Sequence, residues 1–332
     1  MLVIPVFIPH RGCPHQCLFC NQEKISGTAR GEPLPAVEET IEDWIERSPG
    51  KGEVQVAFYG GSFTCLPMDD QQAMLAAVQP YIHRGQVDII RLSTRPDCVN
   101  EEICVFLKKF RVGVVELGVQ SLDDRVLAAC RRGHDSGQVG RAIALLRESG
   151  FAVGAQLMVG LPGETRRSFL AGIDRVIALR PDFVRLYPVL VVKDSGLERL
   201  HLEGIYRPLS LHGAVALCAR GYTKLAEAGI RVVRMGLQPS ESLAASLIAG
   251  PFHPAFGELV QSRLWLKKIR ARLALLAPGE HLAIRISHRD RSAVAGMKNQ
   301  NIIRLEQLGY AGRFTILPEK SMERGSIDYV VC

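Results

Sequence analysis

The chain contains no apolar stretch approaching the roughly 18 residues that a membrane-spanning helix needs, so a helical integral membrane protein is not expected. The apolar run Met1–Pro9 is short, has no basic leader and continues into Arg11 and Cys13, unlike a signal peptide. No repeat of 20–50 residues and no low-complexity tract is present, so a repeat architecture is not expected. Net charge is also missing from most of the chain. Residues 1–260 hold 28 basic and 28 acidic residues, whereas residues 261–332 hold 13 and 6. The whole formal charge of +7 therefore sits in the last segment. A basic surface so confined is either a solvated face or a contact for a polyanion such as RNA.

What is present fits a folded α/β protein. At 332 residues the chain suits one large domain, or one of about 250 residues plus a small one. Apolar residues at 47% and charged residues at 23% exclude a disordered chain. Short β-branched runs alternate with amphipathic stretches. Runs at 2–8, 54–59, 88–93, 112–117, 152–158 and 182–187 read as strands. Helical spacing follows each, as in Ala36, Val37, Ile41, Trp44 and Ile45 after Pro35, and Met74, Leu75 and Val78 later. A further pair is expected at 211–228 and 230–235. The runs are continuously apolar, as strands covered on both faces are. Strands alternating with helices imply parallel βαβ units, hence a partial or full α/β barrel, with an open doubly wound sheet as the rival. The Gly-, Pro- and Ser-rich stretch 236–256 reads as a connector. Beyond it, a basic helix at 255–276, a strand at 281–287, a helix at 298–308 and strands at 314–317 and 327–331 make a small α/β appendage. The domain expectation is a core over 1–240 and a connector plus basic appendage over 241–332.

Nine cysteines, an odd number, argue for a reducing, cytoplasmic setting in which thiols serve metal binding or chemistry rather than stapling. Cys13, Cys17 and Cys20 are spaced C-x3-C-x2-C. Cys65, Cys98, Cys104, Cys130, Cys218 and Cys332 share no ligand-like spacing and read as bystanders. Three clustered thiolates without a fourth leave one coordination position open. Structural zinc closes its site with four ligands, which His10 or His15 would have to complete. A [4Fe–4S] cluster bound through three irons, with the fourth iron open, suits the set better. Phe19 stands ready to pack on such a cluster and exclude solvent.

The stretch from Phe7 through Cys20, with its three cysteines, resembles the signature of radical S-adenosylmethionine (SAM) enzymes. The resemblance implies a partial parallel (β/α)6 barrel of the radical SAM type. It also implies that the open iron chelates S-adenosylmethionine, whose reductive cleavage gives a 5′-deoxyadenosyl radical. An electron donor such as flavodoxin or ferredoxin is then required. Four more segments fall at strand ends, where barrel sites gather. Gly60, Gly61 and Ser62 resemble the family's glycine-rich motif, whose backbone meets the methionine amino group. Ser93 stands where relatives often carry an acidic ribose contact, a departure because serine brings no charge. Gln120 and Arg132 resemble a cofactor-binding pair of the branch containing oxygen-independent coproporphyrinogen III oxidase, with Arg131 an adjacent alternative. Gln156 and Met158 correspond to ribose and adenine contacts, Gln156 equally to a polar group in the barrel core. Glu116–Ser121, Arg132–His134 and Leu186–Leu197 further resemble the elongator-catalytic-subunit-like branch, over about residues 3–240.

After that region the sequence departs from the elongator subunit, which continues into an acetyltransferase domain. No pyrophosphate-binding glycine loop is evident here, so acetyl transfer is not expected. Substrate-side candidates are Tyr187, Tyr206, His134 and Lys193, with His253 in the connector, though residues of these types in such places more often serve structure. Three function classes follow. One is a radical enzyme acting on tRNA or another RNA, held by the basic C-terminal region through phosphate neutralisation. The second acts on a small metabolite such as a tetrapyrrole-like anion. The third is a non-catalytic iron–sulfur binding protein.

Overall fold

In the computed structural model, which describes residues 1–8, 13–21, 35–50 and 52–332, seven strands form one parallel sheet. They are β1 (Leu2–Phe7), β2 (Val54–Tyr59), β3 (Ile89–Thr94), β4 (Val112–Gln120), β5 (Ala152–Val159), β6 (Phe183–Pro188) and β8 (Arg231–Met235), neighbours in that order. Sequential neighbours joined by helices are what right-handed βαβ crossovers generate. The helices are α1 (Val37–Glu46), α2 (Met68–His83), α3 (Glu101–Lys108), α4 (Asp124–Ala129), α5 (Ser136–Glu148), α6 (Arg166–Leu179), α7 (Gly196–Leu202) and α8 (Leu211–Glu227). Local chemistry starts several of them. Asn100 caps α3 through the Ile103 amide, and Asp135 and Gln138 form a capping box on α5.

Side chains alternate across the sheet. Ile4, Val6, Val56, Phe58, Ile90, Leu92, Val115, Leu117, Val153, Val184 and Leu186 are almost fully buried. The intervening positions are largely polar: Tyr59, Arg91, Ser93, Glu116, Gln156, Arg185 and Tyr187. The continuous apolar runs expected from sequence thus carry a polar second face. Arg185 on β6 donates to the Tyr59 hydroxyl on β2 at 3.1 Å. Three strands separate β2 from β6. In a flat sheet that spacing would be roughly 19 Å at about 4.8 Å per strand. The contact therefore requires a curled sheet with these polar groups on its concave face. This is a partial α/β barrel, as the sequence implies, and not an open doubly wound sheet.

The described residues form two compact units, Met1–Ala214 with Gly221–Phe252, and Val215–Arg220 with His253–Cys332. The first unit includes much of the expected connector, which holds a helix, α9 (Glu241–Ser246), and a strand, β9 (Leu247–Ala249), antiparallel to β7 (Val191–Val192). Leu243 packs with Leu190 and Val192, burial that composition alone does not reveal. In the second unit, α10 (Phe256–Leu273), α11 (Arg291–Ala295) and α12 (Gln300–Leu305) accompany a three-stranded sheet. There β10 (Leu282–Ser287) is central, parallel to β11 (Phe314–Glu319) and antiparallel to β12 (Ile327–Val331). Trp265, Ile269 and Leu273 of α10 pack with Leu282, Ile284 and Ile286. Lys298 and Asn299, expected inside a helix, have positive φ and precede it.

Two of the supposed bystander cysteines are joined. Cys65 and Cys98 form a disulfide with a Cα–Cα distance of 5.4 Å. They follow the adjacent strands β2 and β3, so the fold brings together residues 33 apart in sequence. Spacing gave no sign of this staple, and two readings are corrected: that of Cys65 and Cys98 as unrelated thiols, and that of the thiols as serving metal binding or chemistry rather than stapling.

Candidate functional site

The cysteine segment docks through its backbone. The Leu18 amide donates to the Cys130 carbonyl at 3.1 Å, and the Leu197 amide donates to the Leu18 carbonyl at 2.8 Å. Leu18 is buried with Val126, Leu161, Val191 and Leu197, and Phe19 packs against this cluster. Cys17 is buried, and Cys13 and Cys20 are half-buried. Of the histidines considered for zinc, His10 lies outside the described residues. His15 instead places Nε2 3.7 Å from Asp97.

Three segments reach the cysteine sulfurs, two just after β2 and β3 and one after α4. Ser62 Oγ lies 3.9 Å from Cys13 Sγ. Arg95 Nη1 lies 3.9 Å from Cys13 Sγ and 4.0 Å from Cys17 Sγ. Arg132 Nη1 donates to Cys17 Sγ at 3.4 Å. Arg95 is 1% exposed and forks onto Asp97 at 2.9 and 3.0 Å. Burial pushes the Asp97 carboxyl up, but His134, Arg95 and a backbone amide overcome it and hold it well below its ordinary range. His134 sits with Nδ1 3.6 Å from Asp97, and burial pushes its pKa down. The geometry also separates neighbouring arginines: Arg131 is exposed, whereas Arg132 is buried and turned to Cys17.

Backbone conformation makes room for these groups. Gly60 has φ +99°, and a Cβ there would stand 2.7 Å from the Ile8 carbonyl oxygen. Gly61 and Ser62 continue this turn, and Ser62 is buried. A Cβ on Gly118 would stand 2.9 Å from Arg132 Nη2 and from Gln120 Nε2. Gln120 follows a bulge in β4 and has φ +66°, a conformation that costs a non-glycine residue about 1 kcal/mol or more. Gln156 Nε2 donates to Gln120 Oε1 at 3.4 Å. Ser93 is in register with Glu116, Gln156 with Arg185, and Met158 with Tyr187. Met158 also packs against the Leu18 cluster.

Other candidates sit elsewhere or serve structure. Tyr206 donates to the Gly160 carbonyl at 2.6 Å. The Lys193 carbonyl accepts from Asn21 at 3.0 Å. His253, in the second unit, accepts from the Ala255 amide at 3.0 Å at the start of α10. Sequence reading missed the concave-face network. Glu116 Oε1 accepts from Arg91 at 2.7 Å, Arg185 at 3.0 Å and Tyr59 at 3.1 Å. Charged residues at alternate positions of buried strands were the available signal.

The donor set fits an iron–sulfur cluster. Three thiols stand beside two guanidiniums that favour anionic sulfur. Burial pushes the Cys20 thiol up to about 12, with Cys17 and Cys13 adding to the rise and Arg132 and Arg95 opposing it. A bound metal centre would remove that penalty by ligating the thiolate. Among the described residues no three His, Cys, Asp or Glu side chains converge on a single-ion position. A cuboidal cluster does not require such convergence, because each cysteine binds a different iron.

Comparison with known proteins agrees. Residues 7–176 match the radical SAM superfamily, and residues 181–265 match the radical SAM C-terminal domain. The chain belongs to the radical SAM superfamily. Enzymes of this superfamily use a [4Fe–4S] cluster and S-adenosylmethionine. Among relatives, a tRNA uridine(34) acetyltransferase of Methanocaldococcus infernus is 30% identical, the match covering 81% of this chain and 57% of that protein. Human elongator complex protein 3 is 28% identical over 64% of this chain and 47% of its own length. The match to these two relatives spans roughly half of their length. Among solved structures, archaeal Elp3 of M. infernus with an N-terminal deletion superposes with TM-score 0.63 at 21% identity, covering 81% of this chain and 63% of that one. Coproporphyrinogen III oxidase of Escherichia coli gives TM-score 0.52 at 18% identity, covering 80% and 58%. These two likenesses show the fold. Within it, this radical SAM enzyme keeps its cysteines in the loop after β1, Arg95 just after β3 and Arg132 after α4, and its polar network on the concave face. No helix among the described residues is long and apolar enough to cross a membrane.

Proposed function

We propose that this radical SAM enzyme modifies tRNA in the cytoplasm, with Cys13, Cys17 and Cys20 as cluster ligands. When bound, the cluster and S-adenosylmethionine supply an electron and a 5′-deoxyadenosyl radical. The chain's own residues prepare the place. Arg95 and Arg132 offset the negative charge of the thiolates, and Asp97 holds the Arg95 fork in one orientation. Gly60 and Gly118 keep the backbone open where a side chain would intrude. Leu18 and Phe19, packed in their apolar cluster, exclude water from one side of the cysteine segment. Gly60, Gly61, Ser62, Ser93, Gln120, Arg132, Gln156 and Met158 are assigned to S-adenosylmethionine.

The observation that carries the RNA assignment is the basic face of α10. Arg263, Lys267 and Arg270 recur at helical spacing, and all three are exposed. They lie opposite Trp265, Ile269 and Leu273, which are committed to the core. A solvent-facing cationic stripe on a helix whose other face is fixed suits contact with a phosphate backbone. The names of the tRNA-acting relatives point the same way. The test is tRNA binding by the reconstituted protein across a salt series. A triple exchange of Arg263, Lys267 and Arg270 to Glu should weaken binding and flatten the dependence of log affinity on log salt by about two. Binding that is unchanged in the triple variant contradicts the assignment.

A further inference from the structure

The concave-face network has more positive charge than it can balance. Arg91 and Arg185, 8% and 16% exposed at their side chains, share a single carboxylate, Glu116. The remaining partners are neutral. Arg91 Nη1 donates to Gln55 Oε1 at 3.0 Å, and Arg185 Nη1 donates to the Tyr187 hydroxyl at 3.3 Å. Tyr59 does not supply the missing charge: burial and the adjacent Glu116 push its pKa up, so it stays protonated. Among the described residues Arg91 Nε has no hydrogen-bond partner. The neighbouring strand adds a third cation. Arg234 is in register with Arg185, and it donates to the Gly236 carbonyl and to Gln238, both neutral. Buried charge without a counter-charge is costly. An anion from outside the chain would complete the balance.

We propose that Arg91, Arg185 and Tyr187 form an oxyanion subsite on the concave face that takes a phosphate or carboxylate of the substrate. The assignment rests on the radical SAM reading only in placing the substrate on that face. Arg185 and Tyr187 are in register with Gln156 and Met158, which are assigned to S-adenosylmethionine. The subsite therefore borders the cofactor positions. Guanidinium forks and phenol hydroxyls are the donors that oxyanions select. Glu116 holds the two arginines apart and in place, and Gly154 leaves room first for the Phe183 ring and then for Glu116, since a Cβ there would stand 2.4 Å from the ring and 3.1 Å from Glu116 Cγ.

The test is calorimetric titration of inorganic phosphate and of acetate into the anaerobically reconstituted full-length protein, with and without S-adenosylmethionine. One of the two probes should bind the cofactor-loaded protein at one site, the tighter one naming the oxyanion class. Arg185→Gln should weaken it about tenfold or more, and Arg185→Lys should restore part of the loss. Glu116→Gln should tighten it, because the competing carboxylate is gone. A network that only supports the fold predicts instead that Glu116→Gln and Arg185→Gln act alike, which would overturn the proposal. So would absence of binding of either probe, unchanged binding in Arg185→Gln, or binding that S-adenosylmethionine displaces, which would give the site to the cofactor's own carboxylate. Formation of 5′-deoxyadenosine is followed in parallel. If it persists while anion binding fails, the subsite falls alone and the radical reading stands.

Discussion

Arg95 offers a direct handle on the site. Its Nη1 contacts Cys13 and Cys17 sulfurs at 3.9 and 4.0 Å, so its charge lies close to any cluster they hold. Reduction adds one negative charge to that cluster, and a nearby cation stabilises the reduced form more than the oxidised one. Removing the cation must lower the reduction potential. With roughly 6 Å between the guanidinium and the cluster charge and an effective dielectric constant of about 20, the interaction is about 2–3 kcal/mol. For a one-electron couple that corresponds to about 100 mV. Arg95→Gln should therefore shift the potential downward by about that amount in an EPR-monitored redox titration. Asp97 becomes a buried, unbalanced anion in this variant and pushes in the same direction. Arg95→Gln combined with Asp97→Asn should recover part of the shift, since the pair it removes is nearly neutral. The single variant also breaks a buried ion pair, expected to cost about 3–5 kcal/mol in stability. Chemical denaturation checks that cost separately. An unchanged or raised potential in a variant that retains its cluster refutes the reasoning.

The other predictions concern charge, backbone and the staple. Burial raises the Glu164 carboxyl from 4.5 to about 7. The folded state then binds more protons than the unfolded state between those values, so stability falls as pH rises from about 4.5 to 7. Glu164→Gln should flatten that slope in pH-dependent denaturation, a difference on the order of 3 kcal/mol at neutral pH. Gly118→Ala should displace the Arg132 and Gln120 side chains and weaken S-adenosylmethionine binding, while leaving thermal stability nearly unchanged; equilibrium dialysis and melting curves distinguish the two. The Cys65–Cys98 disulfide predicts two fewer reactive thiols than the nine in the sequence when the cluster-free chain is denatured without reductant. Replacing both cysteines by serine should cost about 2–4 kcal/mol in oxidised protein.

Much of the fold was legible because βαβ order is written in the alternation of short β-branched runs and amphipathic stretches. The cysteine spacing and the glycines at strand ends were legible for a similar reason: each is local in sequence. What escaped depends on distant residues meeting. Glu116 lies between apolar neighbours on β4, and only the curl of the sheet brings Arg91 and Arg185 to it. Cys65 and Cys98 become partners only once β2 and β3 lie side by side. The connector at 236–256 looked like turn chemistry, yet Leu243 buries itself against Leu190 and Val192, with Leu247 packed half-buried beside them. Choosing between Arg131 and Arg132 likewise needed burial, since both have the same side chain and nearly the same place in sequence.

The central claim is that Cys13, Cys17 and Cys20 hold a [4Fe–4S] cluster with one iron left for S-adenosylmethionine. Anaerobic reconstitution with iron and sulfide analysis, followed by reduction in the presence of S-adenosylmethionine, tests it most directly. The account predicts about four irons and four sulfides per chain, 5′-deoxyadenosine on reduction, and loss of both in Cys17→Ala. A single metal ion per chain, or a cluster that survives in Cys17→Ala, would contradict it.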